Sequence, residues 1–190
     1  MNEKEVEVLL RKTKAILEGH FLLTSGLHSP LYVEKFNVLQ HPEYTEQLCR
    51  EFAEHFKDKG IQTVIGPATG GIILSQVTGR LLGVRSIFTE RENGKMTLRR
   101  GFHIEPGEKV LIVEDIVTTG GFLKEEGGVG NKAHGGIVGI CVFVGPSRGA
   151  EDFCGPPGKG FSLLPLLVPP LQPGESTLFV KGGAVSGTGN

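Results

Sequence analysis

The chain predicts an α/β fold, a central parallel sheet flanked by helices, and three observations carry that prediction. Short apolar runs of strand length at 63–65, 110–113 and 137–144 alternate with longer segments of helical periodicity. The run at 110–113 is apolar at four consecutive positions, the look of a central strand covered on both faces. Two of the runs lead into glycine turns, Gly66-Pro67-Ala68-Thr69-Gly70-Gly71 and Thr118-Thr119-Gly120-Gly121. Right-handed crossovers are expected between such parallel strands.

Each element follows from its pattern. Val6, Leu9, Leu10, Ile16 and Leu17 fall near helical spacing and predict a helix over 3–18, stopped by Gly19. A second helix is predicted over 42–59, where Leu48, Phe52 and Phe56 step by four along one face and Gly60 ends it. A short buried strand at 63–65 precedes the first glycine turn, and the next helix spans 72–82. Strands are predicted at 85–89, 101–104, 110–113 and 137–144, with a turn at Pro106-Gly107.

The chain has 190 residues, enough to bury a core, and one domain over 1–190 is expected. No apolar run approaches the ~18 residues of a membrane-spanning helix, and the first residues lack the apolar stretch of a secretory signal. Cys49, Cys141 and Cys154 are an odd set without metal-type spacing, so a reducing, cytoplasmic setting is expected. Net charge is −1, which gives no basic field to recruit nucleic acid. Neither a nucleic-acid partner nor a membrane is expected.

The most informative stretch joins the 110–113 strand to Glu114, Asp115, Ile116, Val117, Thr118, Thr119, Gly120 and Gly121. In an open α/β sheet, ligands bind beyond the carboxyl ends of the strands, where this segment emerges. Glycines let backbone N–H groups approach a phosphate, threonine hydroxyls add donors, and a helix start adds its positive dipole end. The two carboxylates are placed to accept hydrogen bonds from sugar hydroxyls. On the residues alone, an ordinary strand end with two solvated acids fits equally well.

The segment 110–121 resembles the phosphoribosyl pyrophosphate motif of the type I phosphoribosyltransferases. The segment 19–32 resembles the N-terminal hood of the orotate phosphoribosyltransferases, and 90–102 resembles their mobile catalytic loop. The resemblance is close from 1 to 121 and patchy afterwards. It implies the type I phosphoribosyltransferase fold with a small hood formed mainly by 1–40. It also implies transfer of the phosphoribosyl group to orotate, with Mg²⁺ held mainly by the substrate and no direct metal ligand from the protein.

Carried over by residue, the resemblance implies that Glu114 and Asp115 bind the ribose hydroxyls. Ile116, Val117, Thr118, Thr119, Gly120, Gly121 and Phe122 would form the rest of the phosphoribosyl site. Ala68, Thr69, Gly70 and Gly71 would form the pyrophosphate loop. Arg91 and Lys95 would reach the pyrophosphate, with the 90–100 loop supplied in trans by the partner of a homodimer. Lys95 and Asp115 are the candidate catalytic residues. Thr118 and, as a stand-in, Arg148 would meet the orotate. Tyr32 and Lys35 fall in the hood near base and sugar, or serve as a core aromatic and a surface lysine.

The chain departs from the pattern after Gly121. Phe122 stands where the family has a small hydroxyl residue, and Gly145-Pro146-Ser147 where it has Asp-Arg-Ser. Glycines number 11 in 1–119 and 18 in 120–190, a shift that predicts local reading-frame slips or uncertain residue assignment within 122–190. Two other readings stay open: a related transferase for a purine or uracil, and a non-catalytic sensor of phosphoribosyl pyrophosphate.

Overall fold

The computed structural model describes residues 1–22, 28–117, 136–145 and 160–165. The first helix, α1 (Glu3–Lys12), opens on a capping box in which Asn2 and Glu5 satisfy each other's backbone N–H groups. It ends at Thr13, earlier than its periodicity suggests, because Lys14 takes a left-handed φ of 56°. Ile16 and Leu17 then belong to strand β1 (Ile16–Leu22), paired antiparallel with β2 (His28–Val33) as a separate two-stranded sheet. The predicted helix over 3–18 is corrected accordingly. Gly19 stops nothing: it lies at the register shift between Glu18 and Phe21, where glycine marks a bulge.

After a single-turn helix α2 (Phe36–Leu39), α3 (Pro42–Phe56) begins with proline in its first turn. A 3₁₀ turn, Lys57–Lys59, completes the predicted 42–59 helix, and Gly60 ends it at φ 67°. The main sheet follows: β3 (Thr63–Pro67), α4 (Gly70–Leu82), β4 (Arg85–Glu92), β5 (Lys95–Leu98), β6 (Lys109–Ile116), β7 (Gly136–Gly145) and β8 (Gly160–Pro165). Its strand order is β5-β4-β3-β6-β7-β8, parallel except for the antiparallel edge pair β4/β5. The predicted strand at 101–104 does not form. Arg100 and Gly101 adopt positive φ in succession, which no extended strand tolerates, although Ile104 is still buried.

Both faces of β6 are covered. Leu111 and Val113 join one cluster with Leu10, Leu48, Phe52 and Leu74 from the helices. Val110 and Ile112 join a second cluster with Ile65, Ile87 and Ile140. Alternate side chains therefore enter different clusters, which explains a strand without polar alternation. Among the described residues no helix is long and apolar enough to cross a membrane.

Candidate active site

The chain leaves β3 to add β4 on one side and later returns to add β6 on the other. The carboxyl ends of β3 and β6 therefore flank the point where strand order reverses, the place where open α/β sheets bind ligands. The sequence delivers the 66–71 loop to one lip and Glu114 with Asp115 to the other.

The loop is folded tightly on itself. A Cβ on Gly66 would overlap the carbonyl of Gly71, and one on Gly71 would press on Pro67. Glycine is required there by close approach rather than by an unusual φ. Ala68 N–H donates to Thr89 O at 2.9 Å, tying the loop to β4, and the Ala68–Thr69 peptide is cis. Ala68 and Thr69 are exposed while Gly70 and Gly71 are buried at the start of α4. The first N–H groups of a helix lack intrahelical acceptors, so this end offers donors and a positive dipole to an anion.

Across the crevice, Glu114 and Asp115 are 5% and 6% exposed, and these burials matter because an ordinary strand-end acid would be solvated. Each carboxylate accepts the next residue's N–H: Glu114 Oε1 from Asp115 at 2.8 Å, and Asp115 Oδ1 from Ile116 at 2.7 Å. Asp115 Oδ2 faces the loop, where a Cβ on Gly70 would overlap it, and lies 3.4 Å from Lys35 Nζ. The next apolar pair packs inward: Val117 is buried in the second cluster and Ile116 leans on the first. Thr118, Thr119, Gly120, Gly121, Phe122 and Arg148 lie outside the described residues.

Arg91 and Lys95 sit on a two-stranded hairpin, β4/β5, rather than on an irregular loop. Its turn is Asn93-Gly94, with φ 50° and 78°, the pair that a two-residue hairpin turn favours. Arg91 Nη1 donates to Gly94 O at 2.6 Å, and Arg100 holds Glu90 through two 2.8 Å bonds, keeping that carboxyl below its usual range. Met96, paired with Arg91, is buried, but Lys95 is exposed. Among the described residues no ion pair or hydrogen bond joins Lys95 to Glu114, Asp115 or the 66–71 loop.

The structure thus brings together the loop, Asp115 and Lys35, with Glu114 next to them on β6, while Lys95 stands exposed on the hairpin. Tyr32 stacks on Phe21 at 5.4 Å across the β1/β2 sheet. Beside it, His20 and His28 form a buried pair, Nε2 to Nδ1 at 2.7 Å, that nothing in the sequence announced. Cys49 and Cys141 are buried; burial pushes the Cys49 thiol up to about 12 and raises Cys141 as well, so neither is a nucleophile at neutral pH.

Known proteins sharpen this picture. The chain is 42% identical over 190 residues to the orotate phosphoribosyltransferase of Chlorobium phaeobacteroides, covering all of this chain and 97% of that one. It belongs to the orotate phosphoribosyltransferase family. The relative from Desulforamulus reducens is 55% identical over 152 residues, 80% of each chain. No protein-family model matches the chain. Among solved structures, the Mycobacterium tuberculosis orotate phosphoribosyltransferase with inorganic phosphate superposes with a TM-score of 0.65 at 22% identity, over 85% of this chain and 94% of that one. The adenine phosphoribosyltransferase of Rhodothermus marinus superposes with a TM-score of 0.68 at 21% identity, over 87% and 100%. At such identities the likeness carries the type I phosphoribosyltransferase fold and no choice of base.

Proposed function

We propose that the chain transfers the phosphoribosyl group of 5-phosphoribosyl 1-pyrophosphate to orotate, giving orotidine 5′-phosphate and pyrophosphate, a step of pyrimidine synthesis. The observation that carries this is the meeting of the 66–71 loop with Asp115, next to the buried Glu114, at the sheet's switch point. It gains its base from the relatives that share 42–55% of their residues with this chain.

In this reading Glu114 and Asp115 accept hydrogen bonds from the ribose hydroxyls, and backbone N–H groups of 68–71 receive the pyrophosphate. Thr118, Thr119, Gly120, Gly121 and Phe122 complete the 5′-phosphate site, with Thr118 also at the base. The C1′–oxygen bond to pyrophosphate breaks ahead of formation of the C1′–nitrogen bond, with inversion. Positive charge develops on the ribose and negative charge on the leaving group, so the residues act by preorganised electrostatics, without a covalent nucleophile. Mg²⁺, held mainly by substrate oxygens, would add charge stabilisation, and the two buried carboxylates Glu114 and Asp115 at this lip would suit a hard, oxygen-seeking cation. Arg91 and Lys95 answer the leaving group from the partner of a homodimer: both stand exposed on the hairpin, where a neighbouring copy can reach them. The protein would work in the cytoplasm as one domain, its hood formed mainly by 1–40.

Purified protein with phosphoribosyl pyrophosphate, Mg²⁺ and a panel of bases tests the reading. Orotate should be consumed and adenine, hypoxanthine and uracil left; consumption of another base instead would overturn the specificity. Reading-frame slips within 122–190 remain part of the proposal. Peptide mass spectrometry should find an arginine near position 146, and peptides matching 122–147 as written would remove the idea.

A further inference from the structure

Lys35 occupies a position that its sequence context does not explain. It directly precedes α2, and its carbonyl accepts N–H bonds from Val38 and Leu39 at 3.1 and 3.0 Å. The backbone around it is pinned to the rest of the chain. Glu34 N–H donates to Ala15 O at 2.8 Å, and Asn37 Nδ2 donates to Lys14 O at 2.8 Å. Its side chain, by contrast, is only loosely engaged. The ammonium lies 5.5 Å from the Phe36 ring centroid and 3.4 Å from Asp115 Oδ2, longer than a well-formed charge-assisted hydrogen bond.

The loop on the other side of that oxygen lacks charge. Residues 66–71 include no cation, and the Asp115 oxygen that Lys35 approaches is the one pressed against Gly70. From this loop itself a pyrophosphate would meet backbone and Thr69 donors but no cation, with the Lys35 ammonium of the same chain one carboxylate oxygen away. A lysine on a four-carbon stem covers such a distance by changing rotamers.

Resting on the phosphoribosyl reading above, we infer that Lys35 exchanges partners. It neutralises Asp115 when the crevice is empty, and it moves onto the pyrophosphate when substrate arrives, freeing Asp115 for the ribose. Lys35 is then a substrate-binding cation supplied by the hood of the same chain, distinct from Lys95 on the hairpin. The exchange also couples the two halves of the substrate. A ribose hydroxyl must displace the ammonium unless pyrophosphate has already drawn it off, so each half favours the other.

Calorimetric titration of the full-length protein tests this, with magnesium pyrophosphate and ribose 5-phosphate as separate probes. Lys35→Met should weaken pyrophosphate binding about tenfold or more, the scale of one lost charge-assisted contact, and leave ribose 5-phosphate binding equal or tighter. Lys35→Arg should keep pyrophosphate affinity within severalfold, and serves as the charged control if the methionine variant folds poorly. An equal loss for both ligands in Lys35→Met, with a lowered melting temperature, would make Lys35 a mere anchor of the hood and overturn the inference. Unchanged pyrophosphate affinity would overturn it too. Wild-type protein that binds neither probe would overturn the phosphoribosyl reading itself, and this inference with it.

Discussion

Two carboxylates at opposite ends of the same strands are treated in opposite ways. At the amino ends of β3, β4 and β6, Glu108 is saturated: Arg85 Nη2 donates to both its oxygens at 2.8 and 3.0 Å, the Glu105 N–H donates at 2.7 Å, and the Thr63 hydroxyl donates as well. Arg85 also reaches Thr63 Oγ1 and the carbonyl of His103. At the carboxyl ends, Asp115, whose side chain is as little exposed as that of Glu108, has one backbone N–H and a long contact to a lysine. A carboxylate surrounded by fixed donors spends its charge on the fold. One held by a single adjustable ammonium keeps its charge for a ligand.

The largest effect should come from the unsaturated acid. Asp115→Asn is expected to lower kcat/KM by about 100-fold or more, the scale of losing a preorganised charge partner, with the melting temperature little changed. A variant that turns over normally would take Asp115 out of the site. Gly70→Ala comes next, because the new Cβ overlaps Asp115 Oδ2 and forces that carboxylate aside. Steady-state kinetics should show about a tenfold rise in KM for phosphoribosyl pyrophosphate, the effect of about 1.4 kcal/mol. An unchanged KM would mean the loop and the acid are not one site.

The saturated acid should behave in reverse. Burial alone pushes the Glu108 carboxyl up, but the bonds from Thr63, the Glu105 N–H and Arg85 outweigh it and hold it below the ordinary range. A lowered folded value contributes stability above the unfolded value and loses it as pH falls through the folded one. Glu108→Gln should therefore cost roughly 1–3 kcal/mol at neutral pH and flatten the acid limb of denaturant-melt stability, with turnover nearly intact. A large loss of turnover without loss of stability would erase the contrast between the two ends.

Much of this frame was legible before any coordinates. The unbroken apolar run at 110–113 announces a strand buried on both faces, and β6 packs into both clusters. The glycine spacing at 66–71 announces a tight loop, and the overlaps at Gly66 and Gly71 show why other residues do not fit. Gly19 misled because a helix stop and a strand bulge use the same residue; only the pairing with β2 separates them. The resemblance offered Lys35 a place near the sugar or a plain surface role, and no local pattern chose between them, because 80 positions of chain separate it from Asp115 and the contact is closed by the whole sheet. The hairpin was legible and unread: Asn93-Gly94 between alternating residues is a strong short-range turn signal.

The central claim is that the acids of one subunit work with the hairpin cation of another, and mixing variants tests it most directly. Lys95→Ala and Asp115→Asn subunits should each be nearly inactive alone. After verified exchange at equal amounts, half of the dimers combine the two, and one of their two sites carries neither substitution. Orotate-dependent turnover should then return to about a quarter of the wild-type rate. A mixture that stays as inactive as its parents would contradict the account and put Lys95 to work within its own chain.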